Sequence, residues 1–208
     1  MTASRSKIDR DGPIETSPLP AVAATISVAV LHRSRQDRTR LVTAISAGDD
    51  LDVVIEGDRV EVDELRRLVP DVAVVEAALL TDEVQSVFGV DLPAVAVIAV
   101  ADEDSPALGT AVLAGAVSST LSSDTENIAS IVEFAHLRLA WLTRRSANTV
   151  LDRAETGADL PEAEHEILRD LVAGHTVESK AQDDRCEPAE VAATLTSALV
   201  RTRSSTTP

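Results

Sequence analysis

The sequence predicts an α/β domain built on a five-stranded parallel sheet, followed by a small all-helical domain. Three observations predict it. From Ile26 onward, short and wholly apolar runs of Val, Ala, Leu and Ile alternate with longer amphipathic stretches, as expected of strands covered by helices on both faces. Beyond Thr143 the strand signal stops and only helical spacing remains. The chain has 208 residues, 44% of them hydrophobic, so it can bury real cores and has room for two small domains.

Residues 1–25 are polar and contain Pro; they lack the charged-then-apolar pattern of an export signal and read as a flexible tail. Strand 26–31 follows, then a helix over 36–47 with Leu41, Val42 and Ile45 at helical spacing. Gly48, Asp49 and Asp50 punctuate before strand 51–55. Val62, Leu65 and Leu68 mark a short helix halted at Pro70, and strand 71–76 ends abruptly in the carboxylate of Glu76. A weak helix over 81–88 precedes strand 93–100. A helix over 106–114, with Pro near its start and Gly115 at its end, leads to a short strand at 116–121. The apolar stripe Ile128, Ile131, Val132, Ala135, Leu139 and Leu142 predicts one long helix over 124–143, with Trp141 on it as a packing residue. Strands joined by helices imply right-handed crossovers and a parallel, flavodoxin-like sheet over 26–145. Residues 146–159 lose periodicity and read as a linker. A helical domain is expected over 160–203, with one helix ending at Gly174 and another carrying Val191, Leu195, Ala198 and Leu199, and a tail over 204–208.

Composition narrows the function. The net charge of −16 repels phosphate backbones and anionic membranes alike, so any nucleic-acid role needs a local basic patch. Three aromatic residues in the whole chain leave few rings for stacking bases or sugars. The single cysteine, Cys186, excludes an internal disulfide and fits a reducing cytoplasm; beside Arg185 and with no placed histidine, it reads as an inert thiol. No apolar run reaches the roughly 18 residues needed to span a bilayer. There is no Gly-rich phosphate loop, and the four histidines show no metal-ligand spacing. No catalytic residue, metal or cofactor is expected.

Three stretches carry a resemblance. Pro70-Asp71-Val72-Ala73-Val74-Val75-Glu76 and Leu113-Ala114-Gly115-Ala116-Val117-Ser118 resemble the third strand and the Ala-Gly-Ala turn of NarL/LuxR-type response regulators. Leu160-Pro161-Glu162-Ala163-Glu164-His165-Glu166-Ile167-Leu168 is similar to the opening of their LuxR-type helix-turn-helix domain. The resemblance implies a receiver-like domain over 26–145 and a helix-turn-helix-like domain over 160–203. It also implies a switch: an aspartate at the end of the third strand accepts phosphate, an acid pair after the first strand binds magnesium, and a hydroxyl and a lysine sense the phosphate. Those positions fall here on Glu76, on His32 and Arg33, near Val100 or Ala101, and near Ser122. Glutamate is a poor acceptor in a site shaped for aspartate, and His32 with Arg33 replaces metal-binding acids by positive charge. Glu76 has two readings, a permanent charge paired with Arg33 or a strand end facing water.

The helical domain departs from the family in the same way. Lys180 and Asp184 fall where the scaffold helix should be apolar, which predicts an exposed pair on a displaced, rotated or disordered helix. The expected recognition helix presents Glu190, Val191, Ala192, Ala193 and Thr194, where base-reading side chains would stand, and 160–203 carries nine acidic residues against five basic ones. Arg201 and Arg203 are more readily assigned to a helix C-terminus than to DNA. The expectation is therefore a cytoplasmic, phosphorylation-independent transcription regulator acting by homo- or heterodimerisation or by docking a protein partner. The docking face would be helical residues 107–113 and 128–142, with DNA binding weak or partner-dependent. The alternative is an adaptor or heterodimerising antagonist that binds no DNA.

Overall fold

The structure is a computed structural model and describes residues 25–205. The expected tail over 1–25 lies outside the described residues except for Thr25, while Ser204 and Ser205 of the expected C-terminal tail end a helix.

Five parallel strands form one sheet in the order β2-β1-β3-β4-β5: β1 (Ile26–Leu31), β2 (Leu51–Gly57), β3 (Val72–Glu76), β4 (Ala96–Ala101) and β5 (Ser118–Leu121). Val28, Val30, Val72, Val74 and Ile98 pack on one side with α1 (Arg35–Ile45) and α5 (Ile128–His136). Ala29, Leu31, Ala73, Val75 and Ala99 pack on the other, where α2 (Val62–Leu68), α3 (Asp82–Ser86) and α4 (Pro106–Leu113) lie. Each central strand is buried on both faces, which is why its sequence is apolar throughout instead of alternating.

Two expectations fail at the end of the sheet domain. The long helix over 124–143 stops at His136, and Arg138 takes a left-handed backbone (φ 61°) that turns the chain. The segment after it lies along the open edge of β5. Ser119 N–H donates to the Trp141 carbonyl at 2.7 Å, Trp141 N–H to Ser118 Oγ at 3.0 Å, and Thr143 N–H to Ser119 Oγ at 3.2 Å. An edge strand needs its polar groups satisfied, and the buried Ser118 and Ser119 supply the hydroxyls that recruit this segment. Trp141 is buried as a packing residue against Phe134, but on this extended stretch and not on a helix.

The expected linker over 146–159 is a helix, α6 (Arg144–Gly157), capped by Thr143. Its buried stripe of Ala147, Val150, Leu151 and Ala154 is made of small or modest side chains among polar ones, which hides the periodicity. α6 packs closely on α4: a Cβ at Gly109 would overlap the Thr149 side chain. Thus one side of α4, expected as part of a docking face, packs against the chain's own helix, while Ala107 and Thr110 stay exposed. α7 (Glu162–Ala173) ends at a left-handed Gly174, α8 (Val177–Asp184) opens with a Thr176–Ser179 capping box, and α9 (Pro188–Ser204) completes the domain. One apolar cluster runs from the α1/α5 side of the sheet through Trp141 and Leu142 into α6, α7 and α9. Among the described residues, no helix is long and apolar enough to cross a membrane.

Candidate functional site

Strand order reverses between β1 and β3, so the loops leaving their carboxyl ends diverge at that point. β1 delivers His32 and Arg33 to it, and β3 delivers Glu76. Glu76 does not face water. Oε2 accepts the Arg33 backbone N–H at 2.8 Å, and Arg33 Nε reaches Oε1 at 2.9 Å and Oε2 at 3.1 Å. Arg33 Nη2 closes on Oε1 at 2.5 Å, and the Glu76 side chain is only 13% exposed. Burial alone would raise the Glu76 carboxyl. The hydrogen bonds from the Arg33 side chain and backbone, with the charges of His32 and Arg33, outweigh it and hold the group below the ordinary glutamate range.

His32 is buried. Its Nδ1 accepts the Ser34 N–H at 3.1 Å, so in the neutral ring the proton sits on Nε2, which faces Ser122 Oγ at 3.0 Å and Asp102 Oδ1 at 3.5 Å. Ser122, at the expected lysine position, is thus an internal partner of His32. Val100 lies within the sheet opposite Glu76, and Ala101 ends β4 without offering a hydroxyl. The structure brings His32, Arg33, Glu76 and Ser122 together, and adds Asp102 and Asp37, which the sequence reading missed. A lone aspartate in a loop carries no signal of what it will meet.

His32, Asp37 and Asp102 each offer one ligand atom within 4.8 Å of the others. They do not fit the magnesium of receiver domains, which takes oxygen ligands and keeps waters. Both Glu76 oxygens are engaged by Arg33, and Asp37 already accepts from Ser34 Oγ at 2.5 Å and from Arg40 at 3.2 Å. A softer ion at Nε2 would move the histidine proton to Nδ1, against the Ser34 N–H.

In the helical domain α8 is in place, contrary to expectation, because Lys180 is buried and neutralised at once. Its ammonium contacts Asp170 at 2.8 Å, Asp184 at 3.1 Å and Glu166 at 3.4 Å. Its hydrogen bond to the Asp170 carboxylate, against a smaller opposing effect of burial and with further help from Asp184 and Glu166, raises this lysine above its ordinary range. Of the expected DNA-facing residues, Val191 and Ala192 are buried, Glu190 and Ala193 are exposed, and Thr194 is half-buried. Thr196 Oγ1 accepts the Ala140 N–H at 2.8 Å, and Arg203 donates to the Val112 carbonyl at 3.0 Å and to that of Ala116 at 2.7 Å. Arg203 therefore completes the end of α4, not of its own helix, and Arg201 pairs with the buried Glu164. Cys186 is pushed up by burial, then by Glu190 and Asp184, and not lowered by Arg185.

No protein-family model matches the chain, and no curated protein sequence does. Among solved structures it is similar to the Salmonella typhimurium response regulator RcsB, at 13% identity and a TM-score of 0.53 over 86% of this chain and 98% of that one. A structure of two RcsB dimers bound to two parallel DNAs matches at 15% identity and 0.52, over 88% and 100%. ChrA, a response regulator of a heme-sensing two-component system, matches at 20% identity and 0.50, over 87% and 98%. These chains are covered almost end to end, so the likeness extends beyond the sheet to the helices that follow it. At such identities it is a likeness of fold alone: a five-stranded parallel sheet domain followed by a helical region, as in these response-regulator structures.

Proposed function

We propose that this chain is a transcription regulator of the response-regulator type that works without phosphorylation, by docking a protein partner or dimerising, and that touches DNA weakly or only with a partner. The observation that carries the reading is the Arg33–Glu76 pair. An acceptor must present a free carboxylate oxygen to phosphorus beside a metal, and here both oxygens are taken by a guanidinium and a backbone N–H. The site is held in one charge state, which favours one conformation of the surrounding loops in place of a switch. The contacts of α9 with the sheet domain favour the DNA-weak part of the reading, since Thr196 and Arg203 are spent on Ala140, Val112 and Ala116.

A second reading, an adaptor with no DNA role, draws support from the same helix: the first turns of α9 offer Glu190, Ala193 and Thr194 to solvent and no basic side chain. A gel-shift series at low salt on the full chain, with and without proteins co-purified from the source cell, separates the two. A shift that appears only with partners supports the regulator. No shift under either condition supports the adaptor, and tight, sequence-specific binding by the chain alone contradicts both.

A further inference from the structure

We infer that the seam between the amino end of the sheet and α9, remote from Glu76, is a binding site for a small organic anion with a ring-sized apolar body. Two cavities lie there. One, of about 170 Å³, is walled by Phe88, Val95, Val97 and Ala111. The other, of about 230 Å³, lies against Leu199, Val200 and Arg203 of α9. Gly115 and Arg138 line both, and the space beside Gly115 is open, since a Cβ built there meets nothing within 4 Å. An apolar cavity of roughly 150 Å³ is already large enough to take a benzene ring.

The charge at this seam is the second observation. The chain as a whole carries −16, yet the two cations here, Arg138 and Arg203, meet only backbone carbonyls among the described residues. Arg138 donates to the carbonyls of Pro93 at 3.1 Å, Val95 at 3.3 Å and Ala94. Arg203 bonds those of Val112 and Ala116, and burial alone lowers it from the ordinary arginine range, with no neighbouring carboxylate to oppose that. Carbonyl dipoles carry a fraction of a charge and leave a positive potential facing the cavities. The carbonyls of Pro93, Ala94 and Val95 hold the Arg138 guanidinium at the junction. A carboxylate between the two guanidinium groups, with its apolar body among Phe88, Val95 and Val97, satisfies both features. Such a ligand would bridge the sheet domain and α9; that regulatory consequence rests on the function proposed above, whereas the binding does not.

The test is a titration of the ¹⁵N-labelled full chain with phenylacetate, and in parallel with the neutral phenylacetamide, following the backbone amides of Gly89 and Gly115. Saturable shifts at both glycines with phenylacetate are expected. Binding should be at least roughly tenfold weaker for the amide, and weaker again by a similar factor in Arg138→Gln or Arg203→Gln. No saturable shift at these glycines, or equal binding of acid and amide by the unmodified chain, overturns the site. The acid–amide comparison decides the matter even if a variant fails to fold. A site that binds phenylacetate while the DNA and partner experiments fail leaves this inference standing without the regulatory one.

Discussion

Arg33 holds Glu76 through geometry as much as through charge, because the backbone N–H of the same residue fixes where the carboxylate must sit. A carboxyl whose folded value lies below its unfolded one, about 4.3 for glutamate, stabilises the fold fully above that unfolded value. That contribution is lost as the pH falls through the lower, folded value. Thermal unfolding of Glu76→Gln should therefore show a lower midpoint than the parent chain at pH 7, with the gap closing below about pH 4; a gap that persists unchanged in acid would assign the loss to packing. Lys180 gives a second residue-scale expectation. Lys180→Met leaves Asp170, Asp184 and Glu166 facing one another and should cost about 1–3 kcal/mol in denaturant melts at neutral pH. Adding Asp170→Asn should recover part of that loss, whereas strict additivity would show the cluster is not coupled. The Glu76–Arg33 pair was one of two readings the sequence left open, because strand order, and with it which strand ends are neighbours, is a tertiary property. The neutralisation of Lys180 was not legible, because Glu166 and Asp170 sit on α7 and become its partners only through tertiary packing.

At the scale of elements, the close approach of α4 and α6 is set by what is absent at one position. Gly109 within α4 costs about 1 kcal/mol of helix propensity relative to Ala, yet a methyl group there would collide with the β-branched Thr149, whose χ1 is stiff. Overlap should outweigh propensity: Gly109→Ala is expected to lower stability by about 1–2 kcal/mol, and Gly109→Ala with Thr149→Ser to restore most of it, both read by urea melts. A stabilised Gly109→Ala would mean that the two helices lie further apart than described. Strands β1 to β4 were readable because double burial writes itself as unbroken apolar runs. α6 was not, since Ala147 and Ala154 are too small to mark a face, and the end of α5 was missed because Leu139 and Leu142 keep helical spacing while serving the edge of β5. The left-handed turn at Arg138 has no sequence signature, as nothing in an arginine announces it.

For the whole molecule, the shared apolar cluster makes the sheet domain and the C-terminal helices cooperative partners. Calorimetry should show one unfolding transition, and two well-separated transitions would contradict a common core. The same packing ties α9 to the sheet domain through Thr196 and Arg203, and its exposed first turn carries the acidic Glu190, which is the basis for proposing weak DNA binding. The order of a parallel sheet followed by helices was legible from element spacing; the intimacy of the two parts was not, because a segment that reads as linker is the helix that joins them. The proposed function requires that Arg33 keep both Glu76 carboxylate oxygens engaged. The most direct measurement is intact mass of the full chain after incubation with acetyl phosphate and Mg²⁺. The mass should be unchanged, in the parent chain as in Glu76→Gln; a phosphoryl group added in good yield and lost in Glu76→Gln would show that Glu76 is a working acceptor.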